Sequence, residues 1–467
     1  MSAPSTIDGS FRDPSGRVYI YKGRIFRTVT EFGANAFEKI LKTGLLATLI
    51  EDGQLLPYSI VRDPDILSQF HNAKYVLEHP KIDYISFPYE WSFPLLKKAA
   101  LLHLDVAIKG LNAGVSLSDA TAYNIQFVGP KPIFIDHLSF KPYTDREYWL
   151  GHRQFCEQFL NPLLLRAKLG VAHNAWYRGA LEGISNEDLS SLLRLRHKMS
   201  LKVQAHVVLP ARLQKKVSST NSAETKPMAE RKGLPKSSYK GLLTQLRNWI
   251  AKLEPKGGNQ SVWGGYAEQN TYEEKENFEK TIFIQKFVNG VQPNLVYDLG
   301  CNSGAFSEIA LAAGAKQVIG FDFDQIALEK ALHRAESKSL NLLPIYLDAS
   351  NQSPDQGWQQ LERAGFDGRG KPDAILALAF EHHLAIGKNI PLPQVIKWIT
   401  SIAANGIIEF VAKSDPTIIS MLSMRDDIFQ NYSQESFEKA ILQHATIIES
   451  KKVTKDGRVL YWYKRHK

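Results

Sequence analysis

The chain has 467 residues, of which 44% are hydrophobic and 22% charged, enough apolar material for two cores and more than one average domain needs. Its two cysteines, Cys156 and Cys301, lie too far apart to suggest a disulfide framework or a metal-ligand spacing, so no metal is expected. The net charge of +9 points toward nucleic acid until it is located: residues 212 to 240 hold eight Lys and Arg against two Glu, which is six of the nine charges. The remainder is near balance and offers no wide basic face for RNA.

In chain order, MSAPSTIDGSFRDPSG lacks the apolar segment of a secretory signal, and no run approaches about twenty uninterrupted apolar residues. A cytoplasmic protein without a membrane span is therefore expected. RVYIYKGRIFRTV (17–29) has the pattern of a hairpin with Lys-Gly at its turn. NAFEKILKTGLLATLIE is helical, and KIDYISFPYEWSF (81–93) reads as a strand leading into an aromatic, Pro-containing turn. SFPLLKKAALLHLDVAIKGLNAG (92–114) is a long amphipathic helix closed by Gly114.

The next block, VSLSDATAYNIQFVGPKPIFIDHLSF (115–140), spaces Asp119 and Asn124 five apart and places Asp136 twelve beyond, at the end of the strand-like PIFID. A protein-kinase catalytic loop spaces its base Asp and its magnesium-binding Asn in this way, and a short hairpin then delivers the metal Asp. The region resembles the C-terminal lobe of kinase-like phosphotransferases, with GPKP as the hairpin turn and residues 86–92 as the hinge between lobes. It departs from them in three respects. Residues 1–50 hold no glycine-rich loop, no V-A-I-K-like strand offers a phosphate-binding lysine, and Asp136 is followed by His137 and Leu138. A plainer reading remains open, in which Asp119 caps a turn, Asn124 satisfies a loop and Asp136 ends a strand. If the lobe is kinase-like but inactive, its natural task is to present the acceptor.

The basic stretch near 210 is rich in Ser, Thr, Asn and Pro and reads as a flexible linker. It divides the chain into an N-terminal α+β domain (1–210), a linker with a helix (211–258) and a C-terminal α/β domain (259–467). SVWGGYAEQNTY carries Trp263, Tyr266 and Tyr272, which could form a lid or simply pack. A helix follows, opened by a capping box of Thr271 and Glu274, with apolar residues Phe278, Ile282, Phe283 and Phe287.

LVYDLGCNSG (295–304) and VIGFDFD (318–324) then carry the strongest chemistry in the chain. An apolar strand ends in Asp298, a turn with Gly300 and Gly304 follows, a helix of small and apolar residues opens, and a second apolar strand ends in Asp322. This is half of a doubly wound sheet with a nucleotide-shaped crevice. The glycines allow close backbone approach, and Asn302 tolerates left-handed angles. Asp298 can accept from a methionine ammonium, and Asp322 can accept both ribose hydroxyls. A dehydrogenase fingerprint would put Gly at 302. PIYLD ends in Asp348, beside an expected adenine amino group. KPDAILALAFEHHL runs into Glu381, His382 and His383, GIIEFV holds Glu409, and RVLYWYKR suits an edge hairpin.

These residues resemble the class I, Rossmann-like methyltransferases over about 200 residues. The ordered pieces DLGCNSG, LALAFEHHLAI and IIEFV, with the SLSDATAYNIQF block, further resemble bacterial nodulation host-specificity methyltransferases across nearly the whole chain. The resemblance implies S-adenosylmethionine as cofactor, held by Asp298, Gly300, Cys301, Asn302, Gly304, Asp322, Phe323, Asp348 and Ala349, and a small-molecule or glycan-related acceptor. His382 and His383 are the candidate bases, since an unperturbed His titrates near neutral pH. Glu409 is a third candidate, unless it pairs with Lys413 or a His. The alternatives are a bifunctional methyltransferase and phosphotransferase using Asp119, Asn124 and Asp136, a non-catalytic cofactor-binding protein, and an RNA methyltransferase resting on the basic linker.

Overall fold

Period-two alternation over residues 17–30 builds the first sheet. In the computed structural model the described residues are 3–219, 233–257, 274–423, 425–455 and 457–466. Strands β1 (Ser5–Thr6), β2 (Val18–Tyr21), β3 (Arg24–Thr30), β4 (Ser59–Ile60) and β5 (Ala73–His79) form an antiparallel sheet in the order β1-β2-β3-β5-β4. The expected Lys-Gly turn joins β2 to β3, with Lys22 at φ 50° and Gly23 at φ 74°. Positive φ at both central residues is what a two-residue hairpin of this kind demands.

The segment 81–93 departs from its expected strand. Pro80 and Pro88 interrupt ladder donors, and its aromatics are used for packing: Tyr84, Phe87, Tyr89 and Trp91 are all buried. The long helix forms as expected over Phe93–Asn112, with Pro94 in its first turn and Gly114 at φ 75° just beyond it. Strand β6 (Val115–Leu117) pairs with β9 (Phe140–Pro142). The hairpin of β7 (Ile125–Val128) and β8 (Lys131–Phe134) turns at Gly129.

The described part of the basic segment is helical except at 233–235. Helix Leu209–Ser219 continues from the first body, the part of the chain that holds the first sheet, and the part with the second sheet is the second body. Helix Lys236–Ala251 buries Tyr239, Leu243, Leu246, Trp249 and Ile250 and joins the long helix through the Arg247–Asp105 ion pair, with bonds of 2.5 and 3.0 Å. Apolar residues at helical spacing thus pack a helix within 211–258, where one was expected, against the long helix. The aromatics Trp263, Tyr266 and Tyr272, with Thr271 of the capping box, lie outside the described residues. The helix after them spans Glu274–Val291. It buries Phe283, Ile284, Phe287 and Lys280, while Phe278 and Ile282 are exposed. The expected stripe is rotated because Lys280 takes an inward position against Glu409.

Seven strands make the second sheet: β10 (Leu295–Leu299), β11 (Gln317–Asp322), β12 (Leu342–Tyr346), β13 (Ala374–Ala377), β14 (Asn405–Phe410), β15 (Ala445–Lys452) and β16 (Val459–Arg465). Their order is β12-β11-β10-β13-β14-β16-β15. The first five run parallel, and β16 is antiparallel to both neighbours. The chain order reverses between β10 and β13, and ligands of such sheets bind outside the carboxyl ends of the strands at this switch point. The terminal strand β16 belongs to the expected hairpin as its inner member, leaving β15 at the edge.

A buried joint links the segment after β5 to the second sheet. Tyr84 packs edge-on against Tyr297 of β10 and Phe321 of β11, with centroids 5.7 and 5.9 Å apart. Arg369, in the loop before β13, donates to the Ile85 carbonyl at 2.7 Å and forms a two-pronged, buried ion pair with Glu90. Removing one partner of such a pair strands a buried charge, at a cost of about 3–5 kcal/mol.

Candidate functional site

The loop after β10 is shaped by three residues in the left-handed region: Gly300 at φ 74°, Asn302 at 47° and Gly304 at 73°. A Cβ on Gly300 would stand 3.0 Å from the Phe380 ring, and one on Gly304 would stand 2.9 Å from Leu342. Asn302 therefore takes the angles that glycine takes elsewhere in the loop. Gly320 of β11 has a matching role that the sequence did not reveal, since a Cβ there would meet the Cys301 sulfur at 2.8 Å. The turn is pinned by Gly300 and Cys301, whose N–H groups both donate to the Phe321 carbonyl at 2.8 and 3.0 Å.

Two carboxylates flank this turn. Asp298, buried at the end of β10, accepts a 2.5 Å bond from the Ser307 hydroxyl. Burial, eased by that bond, pushes its pKa up to about 7. Asp322, at the end of β11, accepts the Asn302 N–H on one oxygen and the Asp324 N–H on the other, each at 2.9 Å. Burial lifts it to about 6 against those two bonds. Each of its oxygens keeps one acceptor position, directed by a fixed backbone. Phe323 beside it is half exposed at 54%, a flat apolar face at the edge of the crevice. After β12, Asp348 accepts from the Ser350 N–H and hydroxyl at 3.0 and 2.6 Å through one oxygen, and half-buried Ala349 follows it.

The end of β13 holds a second group of polar residues. Ala379 adopts φ 47°, a conformation that costs energy in a non-glycine residue and concentrates at functional sites. Its N–H donates to Glu409 at 2.9 Å. Glu381 is fully buried. One of its oxygens accepts the Tyr432 hydroxyl at 2.6 Å and the Val411 N–H at 3.3 Å, and its Oε2 has no partner. Burial raises its pKa to about 8. The adjacent His382 is buried with Nδ1 also unpartnered, and its ring lies 4.2 Å from that of His383. Two adjacent residues thus each keep a buried polar atom without a protein partner beyond the carboxyl end of β13, where ligands of such sheets bind.

Three expectations are corrected here. Burial holds both histidines well below the neutral range, His383 at about 4, so neither titrates near pH 7. Glu409 sits in a buried network, 2.7 Å from Lys280 and 3.8 Å from Arg458, which itself grips Asp415 at 2.6 Å. With both sides paired, it braces the end of β13 and presents no carboxylate to an acceptor. Lys413, its suggested partner, binds Asp427. Glu381 is the residue that the sequence reading passed over. Its position beside two histidines drew attention to them, while only burial reveals that its ionisation falls near neutral pH.

In the first body, Asp119, Asn124 and Asp136 are brought together. Asn124 donates to Asp119 at 3.1 Å, and Asp136 is held by Arg27 of β3 at 2.8 Å. Burial first, then the charges of Asp136 and Asp13, push Asp119 to about 7. This loop faces the second body: Arg363 stacks over Tyr123 with its guanidinium 4.2 Å from the ring centroid. Helix Asn174–Gly179 meets the loops beyond β11 and β12. There the Gln325 amide donates to Asn174 at 3.0 Å and Arg178 donates to the Asn351 carbonyl at 2.6 Å. The first body therefore stands against the carboxyl ends of the parallel strands. A cavity of about 650 Å³ lies at the other end of the sheet, lined by Asn294, Asp373, Asn405 and Arg465, and contains none of these groups. Among the described residues no helix is long and apolar enough to cross a membrane.

No protein-family model matches the chain. The nodulation protein NoeA of Rhizobium meliloti is 46% identical over 463 residues, spanning 99% of this chain and 96% of its own length. A ribosomal protein L11 methyltransferase of Colwellia psychrerythraea is 45% identical over 58 residues, 12% of this chain and 20% of that one. Among solved structures, the PH0226 protein of Pyrococcus horikoshii is 18% identical with a TM-score of 0.32, covering 44% of this chain and 97% of that one. The N-methyltransferase NodS of Bradyrhizobium japonicum is 14% identical with a TM-score of 0.31, covering 42% and 99%.

Proposed function

This chain belongs to the family of the nodulation protein NoeA, and from that premise we propose that it is an S-adenosylmethionine-dependent methyltransferase with a small-molecule or glycan-related acceptor. The observation that carries the reading is the pairing of a turn left-handed at Gly300, Asn302 and Gly304 with two strand-end carboxylates, one of which is fixed by accepting the Asn302 N–H of the turn and the Asp324 N–H beyond its own strand. That arrangement favours a ligand bearing a cation near Asp298 and a diol near Asp322. Residues Gly300, Cys301, Asn302 and Gly304 would form the floor, and Phe323, Asp348 and Ala349 the adenine side.

When bound, S-adenosylmethionine supplies a sulfonium-activated methyl group. The protein then has to align an acceptor and take its proton. Glu381 is the group we assign to the proton, because its carboxylate, with a pKa near 8, is a far stronger base than the two buried imidazoles, which are held well below the neutral range. His382 and His383 would orient the acceptor as neutral imidazoles. The Lys280–Glu409–Arg458 network keeps the strained Ala379 turn in place. The first body, set against the strand ends through Arg178 and Arg363, closes the site and presents the acceptor. Calorimetric titration with S-adenosylhomocysteine tests the cofactor assignment. Binding at micromolar affinity or better supports it, and no measurable heat or displacement sinks it.

A second reading is favoured by the convergence of Asp119, Asn124 and Asp136: the same chain would also transfer phosphate. ATP with magnesium should then raise the melting temperature, and Asp136→Ala should abolish the shift. A wild-type protein indifferent to ATP leaves the first body a presenting domain alone.

A further inference from the structure

His152 and Cys156 stand four residues apart, one helical turn, and so share a helix face. His206 comes from a separate helical stretch, Gln204–Val208, with which that face is packed. The His152 Nε2 lies 3.0 Å from the His206 Nδ1 and 3.7 Å from the Cys156 sulfur, and all three atoms fall within 4.8 Å of one another. Cys156 is fully buried and His206 nearly so, whereas His152 is half exposed.

We propose that His152, Cys156 and His206 form a zinc-class metal site in the first body, with an open fourth position filled by water. The donor set suits that class: two imidazoles and one thiolate favour zinc-like transition metals over magnesium or calcium. The spacing suits it as well. Tetrahedral zinc with ordinary Zn–N and Zn–S bonds sets its ligand atoms about 3.3 Å apart for two nitrogens and about 3.6 Å for nitrogen and sulfur. A purely hydrogen-bonded triad explains the cluster less well. The His152 Nε2 carries either one proton or one lone pair, yet it faces both neighbours at once. A metal ion receives a lone pair from all three.

Local backbone supports the assignment. Cys156 opens a π-helical stretch, Cys156–Leu160, and His206 lies inside another, Gln204–Val208. Such widened turns are uncommon and recur at functional sites. Binding would replace the Cys156 S–H bond by S–Zn and release the proton to solvent, with no change of oxidation state. The helix that carries two of the ligands also holds the Asp119–Asn124 loop: the Gln154 side-chain oxygen accepts the Ala120 N–H, and that of Gln158 accepts the Ala122 N–H, both at 2.8 Å. A metal here would tie that loop to the helical half of the first body, independently of any methyl transfer.

The full chain, stripped with chelator and titrated with cobalt(II) as the probe, tests this. We expect saturation at one ion per chain, a near-ultraviolet thiolate-to-cobalt band, and visible bands of four-coordinate intensity, all displaced by zinc. Cys156→Ser should lose the near-ultraviolet band, Cys301→Ser should keep it, and His206→Gln should weaken binding. Absence of the band in the wild-type protein overturns the proposal, as does its persistence in Cys156→Ser. Should the Cys156 variant fail to fold, alkylation of the wild-type chain decides: zinc should block Cys156 from a small alkylating reagent in partly denaturing buffer, and an unchanged rate overturns the site.

Discussion

Replacing Asp322 by alanine should weaken S-adenosylhomocysteine binding by roughly 10- to 200-fold, at about 1.4 kcal/mol per factor of ten. An ionised carboxylate offers about four acceptor positions, and two are already occupied by the N–H groups of Asn302 and Asp324. One position per oxygen is left, which matches the two hydroxyls of a ribose. Hydrogen bonds to a charged group contribute about 1.5–3 kcal/mol each, so losing both removes roughly 3 kcal/mol at the lower bound. Water entering the truncated site recovers part of this, which sets the tenfold end of the range. With a pKa of about 6, Asp322 is mainly ionised at pH 7.5, where the titration belongs. Asn302→Gly is the control: it keeps the left-handed turn and should change affinity little. The assay is calorimetry on variants whose circular dichroism matches the wild type. A folded Asp322→Ala protein that binds with wild-type affinity would refute the assignment of the ribose to this carboxylate.

Three more outcomes follow from the same geometry. Asp119, Asp298 and Glu381 have folded-state pKa values raised to about 7, 7 and 8, so the stability they contribute in acid is lost as pH rises through those values. The ligand-free melting temperature should therefore climb as pH is lowered from 8.5 to about 6.5. Below that the trend should turn over, because His79, His103, His137, His173, His382 and His383 are all held well below the neutral range when folded and protonate more readily once unfolded, and they outnumber the raised carboxyls, Asp322 included; a monotonic profile across this range contradicts the assigned burial. Glu381→Gln should remove the rising limb near pH 8 from the kcat–pH profile while leaving S-adenosylhomocysteine affinity within about threefold, a change under 1 kcal/mol; retention of the limb clears Glu381 of the proton. Arg369→Met should cost about 3–5 kcal/mol in urea unfolding by stranding Glu90, and adding Glu90→Gln should recover a large part; a loss under 1 kcal/mol would mean that the joint between the two bodies does not depend on this pair.

What the sequence disclosed was governed by range. Continuously apolar strands ending in acids announced β10 and β11 with their carboxylates, and Asn302 could be assigned its backbone angle from residue type alone. The hairpins at Lys22-Gly23 and Gly129 were legible because their turn chemistry is local. In 81–93 the Pro-containing turn was legible, but the strand expected to lead into it does not form, because its aromatics fill a joint whose other half, Tyr297, Phe321 and Arg369, lies more than 200 residues away. Glu409 looked available for chemistry because its partners Lys280 and Arg458 come from distant elements. The same holds for His206, which reaches His152 and Cys156 only through helix packing, so cysteine spacing alone indicated no metal group. The histidines after β13 were correctly placed at a strand end, but their protonation depends on burial, which no local pattern reports.

Transfer of labelled methyl groups tests the central claim most directly. The full chain is incubated with methyl-labelled S-adenosylmethionine and a small-molecule and glycan extract, and label leaving the cofactor is followed into separated fractions. Label should accumulate in a discrete acceptor fraction with the wild-type protein and fall at least tenfold with Asp322→Ala at subsaturating cofactor, as expected for lost binding energy. Label that stays on the cofactor in every fraction, while S-adenosylhomocysteine binds normally, would contradict catalysis and leave a cofactor-binding protein.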